Sequence, residues 1–143
     1  MAVVDASVYV ALVHADEPGH VDSWAWLLDA QSRDEMLRAP CILAAEVAAA
    51  IGRGMSAPDL AHRIVQQLLS ANVVELIPVS IPLAGRAAVI AADERVRGCD
   101  AVYLALAEQT ADVLVTLDRQ QLERGANLVR TRRPGSQAVP APN

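Results

Sequence analysis

Short apolar runs alternate along this chain with longer segments of helical periodicity. The runs that predict strands cover residues 1–4, 36–39, 73–79, 112–117 and 127–130, with 36–39 the weakest. Continuous apolar strands are typical of a sheet whose two faces are both covered by helices. The pattern therefore predicts an α/β fold, a three-layer α/β/α sandwich with a mostly parallel central sheet.

Segments of helical spacing separate these strands. The predicted helices cover residues 6–14, 20–30, 41–53, 56–70, 82–96, 100–109 and 119–124. Ser56 and Asp59 have the spacing of a capping box, and Gly98 is placed to close the long helix before it. There is no internal repeat and no long linker. We therefore expect one domain over 1–133 and a disordered tail over 134–143, which is rich in Pro, Ala, Gly and Ser.

Composition narrows the possible chemistry. The chain of 143 residues has a net charge of -5, and its 12 basic residues are all Arg. The absence of Lys excludes a P-loop ATPase and a Schiff-base enzyme, and it disfavours a receiver domain. The net acidity of the chain argues against binding nucleic acid by bulk charge alone. No run of about 18 apolar residues predicts a membrane span. Cys41 and Cys99, which lack metal-site spacing, are expected to be buried thiols, as suits a reducing cytosol.

Four carboxylates stand beside apolar core sequence in four separate segments. Asp5 and Asp118 follow predicted strands, Asp100 begins a predicted helix, and Glu46 interrupts an otherwise apolar helix. Ligands of open parallel sheets bind at the carboxyl ends of the strands, so the four could meet there. Alternatively, each Asp is only an N-cap and Glu46 only a surface residue. A shared pocket would need protonation or a cation, and oxygen ligands favour Mg²⁺ or Mn²⁺ over zinc.

Four motifs in this order resemble a known family. VVDASV at 3–8, AEV at 45–47, CDAVYLALA at 99–107 and LVTLD at 114–118 are similar to those of PIN-domain ribonucleases, and specifically of VapC-type toxins of bacterial toxin–antitoxin pairs. The resemblance covers about residues 1–130. It implies a PIN-like fold and an endoribonuclease that cleaves RNA phosphodiesters with a metal-activated water.

The resemblance also implies roles for particular residues. Asp5, Glu46, Asp100 and Asp118 would form the catalytic, metal-binding cluster, with Mg²⁺ or Mn²⁺ as cofactor. Ser7 and Thr116 would support it, although ordinary turn and strand hydrogen bonds explain both equally well. The arginines that flank the motifs could guide RNA phosphates or could be surface charges, namely Arg95, Arg97 and Arg119. Some family members carry a further acidic residue after the fourth one, whereas here Arg119, Gln120 and Gln121 follow.

The resemblance implies partners as well. VapC-type toxins are cytoplasmic, form homodimers and bind a small antitoxin, for which Trp24, Trp26 and the segment 60–69 could supply an apolar surface if they are not core. Two other functions stay open, a non-catalytic PIN-fold module that binds a partner and a PIN nuclease of housekeeping RNA processing. A haloacid-dehalogenase-type phosphatase is disfavoured because Ser7, not Asp, stands two residues after Asp5.

Overall fold

The computed structural model describes residues 1–136, which form five strands and seven helices. The strands are β1 (Ala2–Val4), β2 (Leu37–Pro40), β3 (Glu75–Ile77), β4 (Val113–Val115) and β5 (Thr131–Arg132). The helices are α1 (Ala6–Val13), α2 (His20–Ser32), α3 (Leu43–Gly54), α4 (Pro58–Ser70), α5 (Ile81–Glu94), α6 (Gly98–Thr110) and α7 (Arg119–Gly125). None of the helices in this described part is long and apolar enough to span a bilayer.

The five strands form one sheet in the order β3-β2-β1-β4-β5. Each neighbouring pair is parallel, and Val3 of β1 lies opposite Leu114 of β4. β1 is central and fully buried, with Ala2 and Val3 at 0% exposure. The predicted α/β sandwich with a parallel sheet is confirmed, because continuous apolar strands need cover on both faces.

Helix α6 is the helix with the longest fully buried segment, and it lies directly on the central strands. It packs against β1, β2 and β4 and also against α5 and α7, while α1 contacts α2 and α3, and α3 packs on α4. Residues 103–107 of α6 are all at most 1% exposed. This burial matters for the site, because Asp100 lies at the amino end of the same helix and is held in place by its packing.

The last predicted strand is wrong in position. Residues 127–129 are not extended but form turns after α7, where Asn127 N donates to Arg124 O at 3.2 Å and Val129 N to Gly125 O at 3.0 Å. Strand β5 starts only at Thr131, which lies opposite Leu114. The apolar residues Leu128 and Val129 pack on the core from a turn, so their hydrophobicity predicted burial but not strand geometry.

Two predicted helix signals also differ from the structure. Ser56 has a left-handed backbone (φ 51°), and α4 begins at Pro58 after Ala57 without a side-chain cap, so there is no capping box. Gly98 begins α6 instead of closing the helix before it, because α5 already ends at Glu94 with Arg95 in a left-handed conformation (φ 56°).

Both cysteines are more exposed than the apolar runs around them predict. Cys41 is exposed and Cys99 half-buried, so the expectation of two buried thiols is wrong. Cys41 precedes α3 at the end of β2, where its backbone N–H bonds to Ile77 O and its side chain is left in solvent. Of the predicted tail, residues 137–143 lie outside the described residues.

Candidate active site at the carboxyl edge of the sheet

Three aspartates lie at the carboxyl edge of the sheet, at or near the ends of its central strands. Asp5 directly follows β1, Asp118 follows the neighbouring β4 after two residues, and Asp100 lies in the first turn of α6. Asp5 and Asp100 are only 5% and 3% exposed, whereas Asp118 is half-buried. Asp5 and Asp118 come to the same edge because β1 and β4 are parallel neighbours, whose carboxyl ends lie side by side.

Capping explains part of this arrangement. Asp5 caps α1, with Oδ2 accepting from Ser7 N at 3.0 Å, and Asp118 caps α7, with Oδ1 accepting from Gln121 N at 3.0 Å. Asp100 is not an N-cap, since it comes after Arg97 inside the first turn of α6, where the helix dipole favours a negative charge. Capping and site formation therefore coexist in Asp5, whose Oδ1 is left for another partner.

Two hydroxyl groups fix the Asp5 carboxylate. Its Oδ2 accepts from Ser7 Oγ at 2.5 Å and from Thr116 Oγ1 at 3.1 Å. The same two hydroxyls accept backbone N–H groups beyond β4, Ser7 Oγ from Leu117 at 3.0 Å and Thr116 Oγ1 from Asp118 at 2.9 Å. Ser7 and Thr116 thus join the ends of β1 and β4 and orient a buried charge, in addition to their local turn and strand hydrogen bonds.

Replacing Thr116 by Val tests this support. The two side chains have the same shape, so the change removes only the hydroxyl, which leaves Asp5 with one donor fewer and Asp118 N without its acceptor. An unsatisfied buried polar group costs about 1–3 kcal/mol, and we expect a loss of about 2 kcal/mol in the free energy of unfolding, measured by urea denaturation in EDTA. Thr110→Val, which removes a bond to Leu106 O within α6, is the matched control. Equal stability of the two variants would contradict the proposed support.

Gln121 is the site residue that sequence reasoning missed. It is fully buried, and its Nε2 donates to Asp5 Oδ1 and to Asp100 Oδ1, each at 3.0 Å. Because its backbone N–H also bonds to Asp118, this one residue contacts all three aspartates. Its Oε1 is buried without a partner among the described residues. The signal was the spacing of Asp118 and Gln121, which matches a capping box, but the amide turns to the two other carboxylates.

Of the three candidate arginines, only Arg97 contacts the aspartates within residues 1–136. Its guanidinium donates to both oxygens of Asp100, at 2.7 and 3.1 Å, and to Asp118 Oδ2 at 3.1 Å. The hydrogen bonds and charge of Asp100, followed by the charge of Asp118, raise the pKa of Arg97 above its usual value. Arg119 instead pairs with Glu123, and the backbone carbonyl of Arg95 accepts from Arg124.

Glu46 stands apart from the three aspartates, on α3. Its Oε2 accepts a hydrogen bond of 2.5 Å from the buried Tyr103 hydroxyl of α6. Glu46 lines an open cleft of about 800 Å³ together with Ser7, Cys99 and Asp118. Burial raises the pKa of Glu46, the charges of Asp5 and Asp100 raise it further, and the Tyr103 bond opposes them.

The raised pKa of Glu46 predicts a pH-dependent stability. A carboxyl whose pKa is higher in the folded than in the unfolded chain costs stability once pH rises through that range, and costs nothing below the unfolded value of about 4.3. In EDTA, Glu46→Gln is therefore expected to raise the melting temperature at pH 8, with the difference disappearing near pH 4. Glu123→Gln, at an exposed position, is the control. A melting temperature that Glu46→Gln lowers at pH 8 would contradict this assignment.

The donor chemistry of the site fits a hard divalent cation. No group of three or more His, Cys, Asp or Glu side chains surrounds a common point in the described part of the chain. However, the oxygens of Asp5 and Asp100 do converge on one position, now taken by the Gln121 amide nitrogen. A site made of carboxylate oxygens alone favours Mg²⁺ or Mn²⁺ over zinc, which usually has His or Cys among its ligands. The ion would have to replace the present contacts of these oxygens with Gln121 and Arg97.

Several solved structures share the fold of this chain. FitAcB of Neisseria gonorrhoeae shares 17% identity at a TM-score of 0.70, with 96% of this chain and 100% of that chain covered. VapBC2 of Rickettsia felis, bound to a promoter DNA fragment, shares 13% at 0.67 over 92% and 97%. VapC20 of Mycobacterium tuberculosis, a toxin that cleaves the sarcin–ricin loop, shares 17% at 0.66 over 80% and 87%.

The sequence itself carries the family assignment. A search of the curated proteins finds no significant match. The family model of the PIN domain, in contrast, matches residues 2–127, a span that includes β1, β4 and all four predicted acidic positions. With this match and the parallel sheet that places three of these acids at one edge, the chain belongs to the PIN domain family.

Proposed function

We propose that this chain is a divalent-metal-dependent endoribonuclease and the toxin of a toxin–antitoxin pair. The observation that supports it best is the hydrogen-bonded network of Asp5, Asp100 and Asp118, which gathers three carboxylates at the edge where parallel sheets bind ligands. The three carboxylates repel one another, and Arg97 and Gln121 must offset this repulsion. Stability of the fold is therefore not sufficient reason for the network. A role in binding a cation accounts for this concentration of charge.

In this proposal the chain's own residues bind and orient. Asp5 and Asp100 would hold the ion, with Asp118 and Glu46 completing the acidic set, while Ser7 and Thr116 keep Asp5 in place. A bound Mg²⁺ lowers the pKa of a coordinated water and neutralises charge on the phosphoryl oxygens. No side-chain nucleophile is required, and the products would carry a 5′-phosphate and a 3′-hydroxyl.

Glu46 supplies the proton-handling group of the proposal. Its Oε2 is engaged by the Tyr103 hydroxyl, and its pKa is raised by burial and by the charges of Asp5 and Asp100. Glu46 lines the cleft, and a raised pKa makes its carboxylate a stronger base than an ordinary one, so we propose that it takes a proton from a water there. Asp118 lines the same cleft.

An antitoxin is the proposed protein partner. The apolar surface suggested by the sequence is partly core, because Trp26 and Leu68 are buried, but Trp24 is 41% and Leu69 61% exposed. A cleft of about 320 Å³ opens between α1, α2 and the end of α4, and it is lined by apolar side chains that include Trp24 and Leu68. We propose that an apolar antitoxin segment binds here, and that the chain acts as a homodimer in the cytoplasm, where RNA is available.

The test is an RNA cleavage assay with the purified chain. We expect fragments with 5′-phosphate ends in Mg²⁺ or Mn²⁺, none in EDTA, and inhibition by the product of an adjacent short gene. A chain that binds such a partner but cuts no RNA in either metal would support the non-catalytic module instead. Cleavage that EDTA leaves unchanged would refute metal dependence.

A further inference from the structure

Arg97 is tied to the acidic site through an exposed and movable side chain. It is the N-cap residue of α6 with extended backbone (φ -64°, ψ 151°), so the helix fixes its position three residues before Asp100. From there its guanidinium reaches both Asp100 oxygens and Asp118 Oδ2, yet its side chain is 65% exposed. Its contacts with the two carboxylates therefore hold the guanidinium of this mostly exposed side chain.

Arg97 also supplies the positive charge that the aspartates contact. The other donors to Asp5 and Asp100 are hydroxyl, amide, backbone N–H and thiol groups, from Ser7, Thr116, Gln121 and Cys99. Within residues 1–136, no ion pair to Asp5, Asp100 or Asp118 other than those of Arg97 occurs. A divalent cation bound to Asp100 or Asp118 would therefore use the same carboxylate oxygens that now accept hydrogen bonds from Arg97.

We propose that Arg97 is an internal counter-ion that competes with the divalent cation for Asp100 and Asp118. In the metal-free chain it neutralises the two carboxylates, and metal uptake releases it. This inference rests on the proposed function, because it assumes that the acidic site takes a divalent cation. It makes metal affinity depend on a residue that is not itself a ligand.

The size of the effect follows from competition. When a site is available in only a fraction of the molecules, its apparent dissociation constant rises by the inverse of that fraction. If Arg97 closes the site in roughly four molecules of five, its removal tightens metal binding about fivefold. Gln121 is the same in the wild type and in a variant without the Arg97 guanidinium, so its effect on the ion is equal in both. The difference in metal affinity therefore reports on the guanidinium alone.

The experiment is calorimetric titration of the full chain with Mn²⁺. We expect Arg97→Gln to bind Mn²⁺ about fivefold more tightly than the wild type, and to show a larger rise in melting temperature on Mn²⁺ addition. Arg86→Gln is the matched control, because Arg86 forms a similar fork with Glu108 on α6, at 2.6 and 2.7 Å, away from the site. Equal or weaker binding by Arg97→Gln would overturn the inference.

A second measurement uses the wild-type chain and so does not depend on the folding of a variant. In ¹⁵N-arginine-labelled protein, the Nε–H signal of Arg97 should be protected from exchange in EDTA and lose that protection as Mg²⁺ is added. An Arg97 signal unchanged at saturating Mg²⁺ would contradict the competition while leaving the nuclease proposal intact. A wild-type chain that takes up neither Mg²⁺ nor Mn²⁺ would instead refute the proposed function.

Discussion

Asp100→Asn is expected to lower Mg²⁺-dependent RNA cleavage by a factor on the order of 10³, as removal of a transition-state stabiliser does in other enzymes. Asn keeps the shape of Asp but removes the charge and one acceptor oxygen. Asp100 is 3% exposed and shares the Gln121 amide with Asp5, and neither a neutral Asn oxygen nor a water would replace its negative charge. Initial cleavage rates at saturating Mg²⁺ measure the loss.

The control for this prediction is a charge change elsewhere. Asp59→Asn alters the net charge equally, but Asp59 is exposed in the first turn of α4. It should cleave RNA at the wild-type rate. Circular dichroism must show both variants folded, and Asp5→Asn should lose activity as Asp100→Asn does. If Asp100→Asn cleaved as fast as Asp59→Asn, the acidic edge would not be the active site.

Leu104→Ala is expected to reduce the free energy of unfolding by about 3 kcal/mol, within the range that buried Leu→Ala changes produce. Leu104 is 0% exposed in α6, where the core closes around it. It also touches the end of α7, since a Cβ on Gly125 would lie 2.5 Å from Leu104 Cδ2. The cavity would therefore lie between the helices that carry Asp100 and Gln121, and we expect metal binding to weaken as well.

Urea denaturation in EDTA measures the stability change, with Leu69→Ala as control. Leu69 is 61% exposed, so its truncation should cost less than about 0.5 kcal/mol. A loss below about 1 kcal/mol for Leu104→Ala would show that α6 and α7 close the cavity by moving together. Such movement would itself shift Gln121, which a changed Mn²⁺ affinity would report.

Local sequence was sufficient for four of the five strands and for the two aspartates that follow β1 and β4. The apolar runs before Asp5 and Asp118 predicted β1 and β4, because a strand buried on both faces must be continuously apolar. The strand predicted at residues 127–130 is wrong, because the apolar side chains there belong to a turn that packs on the core. A buried turn and a buried strand can have the same short apolar sequence, and the periodicity of so few residues does not distinguish them.

The sequence by itself determined the parallel α/β sheet, the order of the acidic motifs and the absence of lysine chemistry, since these follow from the pattern and the residue types alone. Only the tertiary structure decided which groups touch. Gln121 reaches Asp5 across 116 residues of chain, and Arg97 spans Asp100 and Asp118. Such contacts depend on how α6 and α7 pack beside β1 and β4, and no local pattern encodes that distance.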